Sequence, residues 1–488
     1  MLTSKDYRVA ATGLFASALI VMCAVHSMST SWNVNSRMAL VFAIVDRGTF
    51  AVDDYLSDDG ILPSGDKAAF GGRIYSDKAI GVSLVCVPVY AAMQLVARVF
   101  GFEWGLVPKI YVLRIVSASI PAAISLVLLW WLMVRAGAAP RRALVAVAIA
   151  FFGSMWFGYS TLAMPYSLGT ACCLAATYLL CRERPGGMRT IRVAAIGFFC
   201  GFAVIADFLF APIVVIAIAT ALLLKIRCER PDRVAILIAS SVLAGAVPLA
   251  VFGAYTYSIF GALSLPYQYE VEPLFREGMS HGVMGITRPR LGPLWFLTLH
   301  PYRGVLFWSP WIVIALAGCA MAAKSSGIRR TFGWMGLWAF ASALLINSSY
   351  YMWWGGYAMG ARLMLPMMAA VPLGLAEVCR DDRSPLWWKS LLYTGAISFA
   401  LSMPLALTEP QMEQIEDTAD LLKVTPTAAL QIPQFKYLSR YYGGDWFWAP
   451  NSKDQLPLAL PPLAIAGAGV ILIRTARRLP RGAVEVSV

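Results

Sequence analysis

WNVNSRMALVFAIVDRGTFAVDDYLSDDGILPSGDKAAFGGRIYSDKAIG, residues 32–81, directly follows an apolar run from Val9 to Met28. It holds Asp46, Asp53, Asp54, Asp58, Asp59, Asp66 and Asp77, with Arg37, Arg47, Lys67, Arg73 and Lys78 among them. In a chain that is 59% hydrophobic and 14% charged, this concentration is the exception. Charged side chains are expensive in hydrocarbon, so so long a polar segment beside an apolar run belongs at a membrane face. There it is either an exposed lid or a place for chemistry.

The rest of the 488 residues has a mean hydropathy of +0.66 and repeated apolar runs near twenty residues. Runs of about 20 residues match a hydrocarbon slab of about 30 Å. The fold class is therefore an all-α polytopic membrane protein, a single integral-membrane domain over 1–488. The first run is too long for a signal-peptide core and no small-residue cleavage site follows it, so it reads as a retained helix. Spans are expected at 9–29, 112–134, 143–161, 166–181, 234–257, 305–323, 331–349, 361–378, 388–407 and 457–473. Residues 193–224 fit two short helices turning near Asp207, which makes about twelve. Three polar regions then face one side, at 31–111, 258–304 and 408–455, the last ending in Tyr441, Tyr442, Trp446, Phe447 and Trp448. The apolar run 79–100 is read as a juxtamembrane or re-entrant hairpin, because counting it as a crossing would invert every later loop.

Charge supports this arrangement. The formal net charge of +13 suggests nucleic acid at first sight. Yet the side opposite the polar regions carries 23 of the 40 cations and eight of the 27 acids, a net of +15; the remaining 17 cations and 19 acids net −2. That asymmetry is the positive-inside signature, so both termini are expected in the cytoplasm, and no nucleic-acid partner is implied. Nine scattered cysteines with no CxxC pair, and only His26, His281 and His300, argue against a disulfide framework or a zinc site. No internal repeat points to an inverted-repeat transporter.

Acids in the first polar loop face the same side as Arg37, Lys78, Arg303 and Arg362. Together they supply a carboxylate for proton abstraction, cations for a departing phosphate, aromatic surface and an apolar groove. N-S-R at 35–37, G-T-F-A-V-D-D-Y at 48–55, D-K-A at 66–68 and R-I-Y-S-D-K-A-I-G at 73–81 resemble a bacterial branch of the GT-C glycosyltransferases, as do H-P-Y-R-G-V-L-F-W-S-P at 300–310 and Y-M-W-W-G-G-Y-A-M-G-A-R at 351–362. That branch is related to lipid A aminoarabinose transferases, protein O-mannosyltransferases and arabinofuranosyltransferases. The resemblance implies inverting transfer of a monosaccharide from a polyprenyl-phosphate donor to a hydroxyl on a glycan, lipid or protein, at the outer, periplasmic face. It also implies a loop-one aspartate as base and a juxtamembrane helix after Lys78. Two departures stand out: Asn33 and Asn35 occupy a region where relatives carry an acid, and Ile80 stands where proline often follows the Lys-Ala pair.

On this reading Asp53 is the expected base, with Asp54, Asp66 and Asp77 as alternatives; the plainer role of each is a turn or helix cap. Asp53 and Asp54 could hold a divalent ion, but neighbours on an extended segment point apart, and no metal or other cofactor is required. Lys78, Arg37, Arg303 and Arg362 are the expected phosphate ligands; the plainer roles are a Lys78–Asp77 ion pair and, for Arg303, an interfacial anchor. Tyr55, Tyr75, Trp353, Trp354, Glu270 and His300 are the expected sugar or acceptor contacts, the tryptophans being equally suited to an interfacial belt. Asp207, an acid inside an apolar stretch, is either a hairpin tip or a site residue. A non-catalytic lipid-sugar flippase is the rival function.

Overall fold

The computed structural model describes residues 4–25, 31–57, 59–182, 187–408, 410–412, 414–415, 432–442, 460–480 and 482. Asp58, His26 and most of 408–455, with the side chains of its aromatic cluster, lie outside the described residues. So do the basic-side residues Glu183, Arg184, Arg481 and Glu485.

α1 (Ser4–Ala24) leads into the first polar region. Ser31 accepts a hydrogen bond from Val34 N (3.2 Å) and starts α2 (Trp32–Phe42), which a π-turn extends to Arg47 before Gly48, at φ 65°, ends it. A single turn, α3 (Asp53–Leu56), precedes a feature absent from the all-α expectation: a hairpin of β1 (Lys67–Phe70) and β2 (Arg73–Ser76). Its register runs from Lys67↔Ser76 to Phe70↔Arg73. The two-residue turn is Gly71–Gly72, both at positive φ (59° and 76°), the geometry that suits strand twist and that only glycine adopts freely. That dipeptide is the signal in the sequence for the hairpin.

α4 (Gly81–Phe100) is one continuous helix, so the re-entrant hairpin expected at 79–100 is not formed. The helix is long and apolar enough to cross a bilayer. Its ends nevertheless stay with the polar region. Near its start Ser83 donates to Arg37 O (3.0 Å), and five residues after its end begins α5 (Leu106–Arg114). There Tyr111 donates to Cys23 O (2.7 Å) and Arg114 to Met22 O (3.0 Å), both at the end of α1. α5 continues through a π-turn into α6 (Ile120–Arg135), which returns antiparallel to α1 until Trp130 packs edge-on against Tyr7 (5.7 Å). The alternation of sides that the charges require is thereby kept.

The bundle continues with α7 (Pro140–Phe152), α8 (Met155–Tyr159), α9 (Tyr166–Cys181), α10 (Thr190–Ala206), α11 (Pro212–Glu229) and α12 (Val234–Phe260). The expected span 143–161 is interrupted, because Ser154 caps α8 through Trp156 N (3.3 Å) right after Gly153. α10 and α11 are the two helices expected around Asp207. Short helices α13 (Pro273–Ser280), α14 (Leu291–Thr298) and α15 (Val305–Trp308) follow, then α16 (Trp311–Ala323) and α17 (Gly327–Ser349). The expected helical span 361–378 is instead two 3-10 stretches, Arg362–Ala369 and Val371–Gly374, before the single turn α18 (Leu375–Val378). Pro366 and Pro372 remove the amide donors an α-helix needs, and the segment is tolerated because Met364–Ala376 is buried in protein. α19 (Pro385–Thr408), α20 (Pro433–Tyr442) and α21 (Leu460–Arg478) complete the described chain.

At the end opposite the hairpin, Glu377, 1% exposed, draws in Arg329 (3.4 Å), Arg380 (3.8 Å) and Arg383. Arg142 donates to Arg380 O (2.9 Å) and Arg141 to Arg477 O (2.9 Å) and Leu479 O. The loops assigned to the basic side are therefore gathered in one place.

α12 is lipid-facing over most of its surface and is held by a seam of small residues. A Cβ on Gly197 would lie 2.0 Å from Ser241 O, and one on Gly201 2.2 Å from Gly245 O. Such close backbone approach is how helices pack where water supplies no drive. Gly201→Leu should lower the melting temperature in detergent by an overpacking cost of about 1–3 kcal/mol. Gly169→Ala, where a Cβ meets nothing within 4 Å, should leave it unchanged or raised. Equal melting of both variants and wild type would refute the seam.

Candidate active site

The hairpin register puts Asp66, just before β1, beside Asp77 and Lys78, just after β2. The Lys78 ammonium sits 3.1 Å from Asp66 Oδ2, contacts Asp77 Oδ2 and lies over the Tyr267 ring (5.3 Å to its centre). α2 holds the far side. Ser36 bonds Ser76 (2.8 Å) and donates to Asp77 Oδ1 (3.2 Å), and Arg37 reaches Ala79 O (3.4 Å).

The second polar region is joined to the first by backbone. Ala68 and Glu270 form an antiparallel bridge, with Val271 N donating to Lys67 O (3.0 Å). Glu270, 2% exposed, is thereby carried to the hairpin's foot, and neither of its oxygens accepts a hydrogen bond. Burial first and the neighbouring Asp77 second push its carboxyl up to about 11. Burial also raises Asp66, against the pull of Lys78. Burial alone would lower Lys78, but Asp66 and Asp77 outweigh it and hold the ammonium charged.

These groups line one cavity. Its polar wall is Asn33, Arg37, Asp66, Lys78, Asp207, Glu270 and Arg362, faced by Tyr166, Tyr267, Tyr350 and Tyr351. Asp207 ends α10 and accepts from Leu209 N (3.3 Å) and Phe210 N (3.2 Å), which turns the chain into α11 and leaves the carboxylate at the cavity. Arg362 opens its 3-10 segment beside Gly355 and Gly356, at φ 74° and 67°; a Cβ on Gly355 would lie 3.1 Å from its Cγ. Nε of Arg37 and of Arg362 has no partner. Among the described residues, Lys78 takes the place between Asp66 and Asp77 that an ion would need, and no cluster of three or more His, Cys, Asp or Glu could hold a metal.

Of the residues the sequence singled out, Arg37, Asp66, Asp77, Lys78, Asp207, Glu270 and Arg362 come together. The others do not. Asp53 begins α3 outside the cavity and accepts from Ile74 N (2.9 Å), bracing the hairpin; Asp54 pairs with Arg47 (2.7 Å) at the surface. Tyr55 donates to Asp46 (3.4 Å) and Tyr75 packs on Phe260. Arg303 corrects the phosphate-ligand expectation. All five of its N–H groups are directed at Trp354 O, Gly356 O, Ala358 O, Tyr302 O and the Tyr302 hydroxyl, so it clamps the loop before Arg362. His300 Nδ1 accepts from Tyr302 N (3.1 Å), Trp353 stacks on Phe296 and Trp354 donates to Gln414 (2.9 Å). The aromatic surface of the cavity is made by tyrosines of other segments, which spacing along the chain does not link.

This multi-helix bundle, with polar loops closed over a charged cavity at one end, is similar in fold to a solved membrane protein. The chain aligns over 96% of its length with 75% of the chain of ArnT from Cupriavidus metallidurans in the apo state, at TM-score 0.50 and 13% identity. The structure of that ArnT bound to undecaprenyl phosphate aligns over the same shares at TM-score 0.48 and 12% identity. No family model and no curated protein matches the sequence.

Two outcomes test the site's electrostatics. Lys78→Met leaves two buried carboxylates face to face, and losing one partner of a buried cluster costs about 3–5 kcal/mol. The melting temperature should fall at pH 7, and the deficit should shrink as acid protonates Asp66, whose carboxyl burial already raises; a deficit independent of pH would refute the reading. Glu270 binds its proton more tightly folded than at the ordinary value of about 4.3. Its contribution is therefore full below that value and is lost as pH rises toward about 11. Glu270→Gln should melt with a flatter pH dependence than wild type between pH 5 and 9; a steeper one would mean an ionised Glu270.

Proposed function

We propose that the protein is an integral-membrane glycosyltransferase that moves a monosaccharide from a polyprenyl-phosphate donor to a hydroxyl acceptor. What carries this reading is the meeting of Arg37, Lys78 and Arg362 with Asp66 and Asp207 in one cavity of a GT-C fold. The donor phosphate is negative, and its charge grows as the anomeric bond breaks; preorganised cations in a water-poor site stabilise that growth. Arg37 and Arg362, each with an unpartnered Nε, and Lys78 are the phosphate ligands. The outer face of a bacterial inner membrane, with both termini in the cytoplasm, is the setting that the charge asymmetry supports.

The base is Asp66 rather than Asp53, because Asp66 lines the cavity and Asp53 is used by the hairpin backbone. Donor phosphate competes with Asp66 for the Lys78 ammonium. As Lys78 turns to the phosphate, the buried carboxylate loses its counter-ion and becomes a stronger base. It takes the proton of the acceptor hydroxyl, whose oxygen attacks the anomeric carbon from the face opposite the phosphate. The carbon–oxygen bond to phosphate breaks with its electron pair, and polyprenyl phosphate leaves. The tyrosines offer the faces on which a sugar ring lies.

Purified protein in liposomes with a labelled polyprenyl-phosphate sugar should release polyprenyl phosphate in the presence of acceptor. Asp66→Asn should lower turnover by about 10²–10⁴-fold, while Asp53→Asn stays within a few-fold of wild type. Full turnover of a folded Asp66→Asn protein would remove Asp66 from the role. Movement of the intact lipid-sugar between leaflets with no bond broken would replace the transferase by the flippase.

A further inference from the structure

A second cavity, of about 450 Å³, lies far along the bundle from the charged site, between α1, α7, α19 and α21. Its lining is apolar throughout and includes Leu144, Ile149 and Phe152 of α7, Phe399 of α19, and Ile465 and Leu472 of α21. The helices fix its direction. It begins near Leu144, Leu392 and Ala476 and ends near Phe152, Met403, Ile465 and Val21. From Ala476 to Ile465 a helix rises about 16 Å, roughly half the hydrocarbon thickness of a bilayer, which is the depth of one leaflet.

The end near Ala476 is basic. Leu144 stands three positions after Arg141, Leu392 three after Lys389, and Ala476 one before Arg477. Lys389, Arg474, Arg477 and Arg478 are exposed. Arg141 donates to Arg477 O (2.9 Å) and Leu479 O, which fixes the end of α21 against α7 and keeps Arg477 beside the mouth; Lys389, one turn before Leu392, lies on the lining face of α19. Among the described residues no carboxylate lies within ion-pair distance of Arg141, Lys389, Arg474, Arg477 or Arg478. The neighbouring acids, Asp381 and Glu377, are taken by Arg142 and by Arg329, Arg380 and Arg383.

We propose that this groove is a binding site for an anionic phospholipid, one acyl chain lying between α7, α19 and α21 and the phosphate meeting Lys389 and Arg477 at the basic mouth. Each half of the lipid finds its match. An apolar slot one leaflet deep suits a single chain, and basic residues between membrane helices on the positive side select anionic headgroups. The bound chain fills the space that otherwise separates α21 from α7 and α19, so the lipid helps to seat the last helix. The site is independent of glycosyl transfer, and its failure would leave that reading untouched.

The test is native mass spectrometry of the full-length protein in mild detergent, delipidated and titrated with phosphatidylglycerol or phosphatidylcholine of equal chain length. Wild type should hold phosphatidylglycerol roughly tenfold more tightly than phosphatidylcholine. Gly469→Phe should abolish binding of both, since a Cβ there meets nothing within 4 Å and the ring would fill the slot. The double variant Lys389→Gln, Arg477→Gln alters exposed positions only and should bind both lipids equally. No bound phospholipid, equal binding of the two by wild type, or undiminished binding by Gly469→Phe would overturn the assignment. So would a co-purified polyprenyl phosphate displaced by Gly469→Phe, because that would make the groove the seat of the donor's tail.

Discussion

One buried ammonium holds the hairpin end of this protein together. Lys78 sits at the foot of a two-stranded hairpin, between Asp66 on the incoming strand and Asp77 beside it on the outgoing one. Removing Lys78 would leave two buried carboxylates facing each other with no cation between them, a costly arrangement in a protein interior. The hairpin register, the seating of Ser36 and Arg37 against it, and the strand-like docking of Glu270 all converge on that point. The cavity exists because two polar regions nearly two hundred residues apart are stitched there by backbone hydrogen bonds.

The arginines show how the same side chain serves two ends. Arg303 is wholly enclosed and directs every N–H to protein oxygen, so its charge stiffens the loop from Trp354 to Ala358. Arg37 and Arg362 keep a nitrogen without a partner at the wall of the cavity. Buried donors left open are rare in proteins, because each forfeits a hydrogen bond it had in water. At this cavity the two open donors stand beside the unbonded carboxyl of Glu270, where a bound group would complete their bonding.

Charge also organises the opposite end. Glu377 gathers three arginines, and Arg141 and Arg142 cap neighbouring segments through backbone carbonyls. Basic residues that set orientation by their number are thus also used one by one to tie helix ends. The two ends differ in logic: compensation inside a cavity at one, cross-linking of surface turns at the other.

Composition and the distribution of lysine and arginine were enough to establish a multi-helix membrane bundle with its acidic loops on one side, because bilayer thickness and the cost of burying charge act on local sequence alone. The quoted motifs were enough to place Lys78, Arg37, Asp66, Asp77 and Arg362 among the candidates, and the second polar region added Glu270. They could not rank Asp66 above Asp53, or tell Arg303 from Arg362, since both members of each pair sit in equally polar stretches. Nor did periodicity reveal that prolines would turn 361–378 into 3-10 helix, or that Tyr166, Asp207 and Tyr351 would share a wall. Those outcomes depend on which backbone groups are left needing partners once distant loops dock, and only the tertiary structure decides that, because a hydrogen bond or an ion pair is set by distance in space and not by position along the chain.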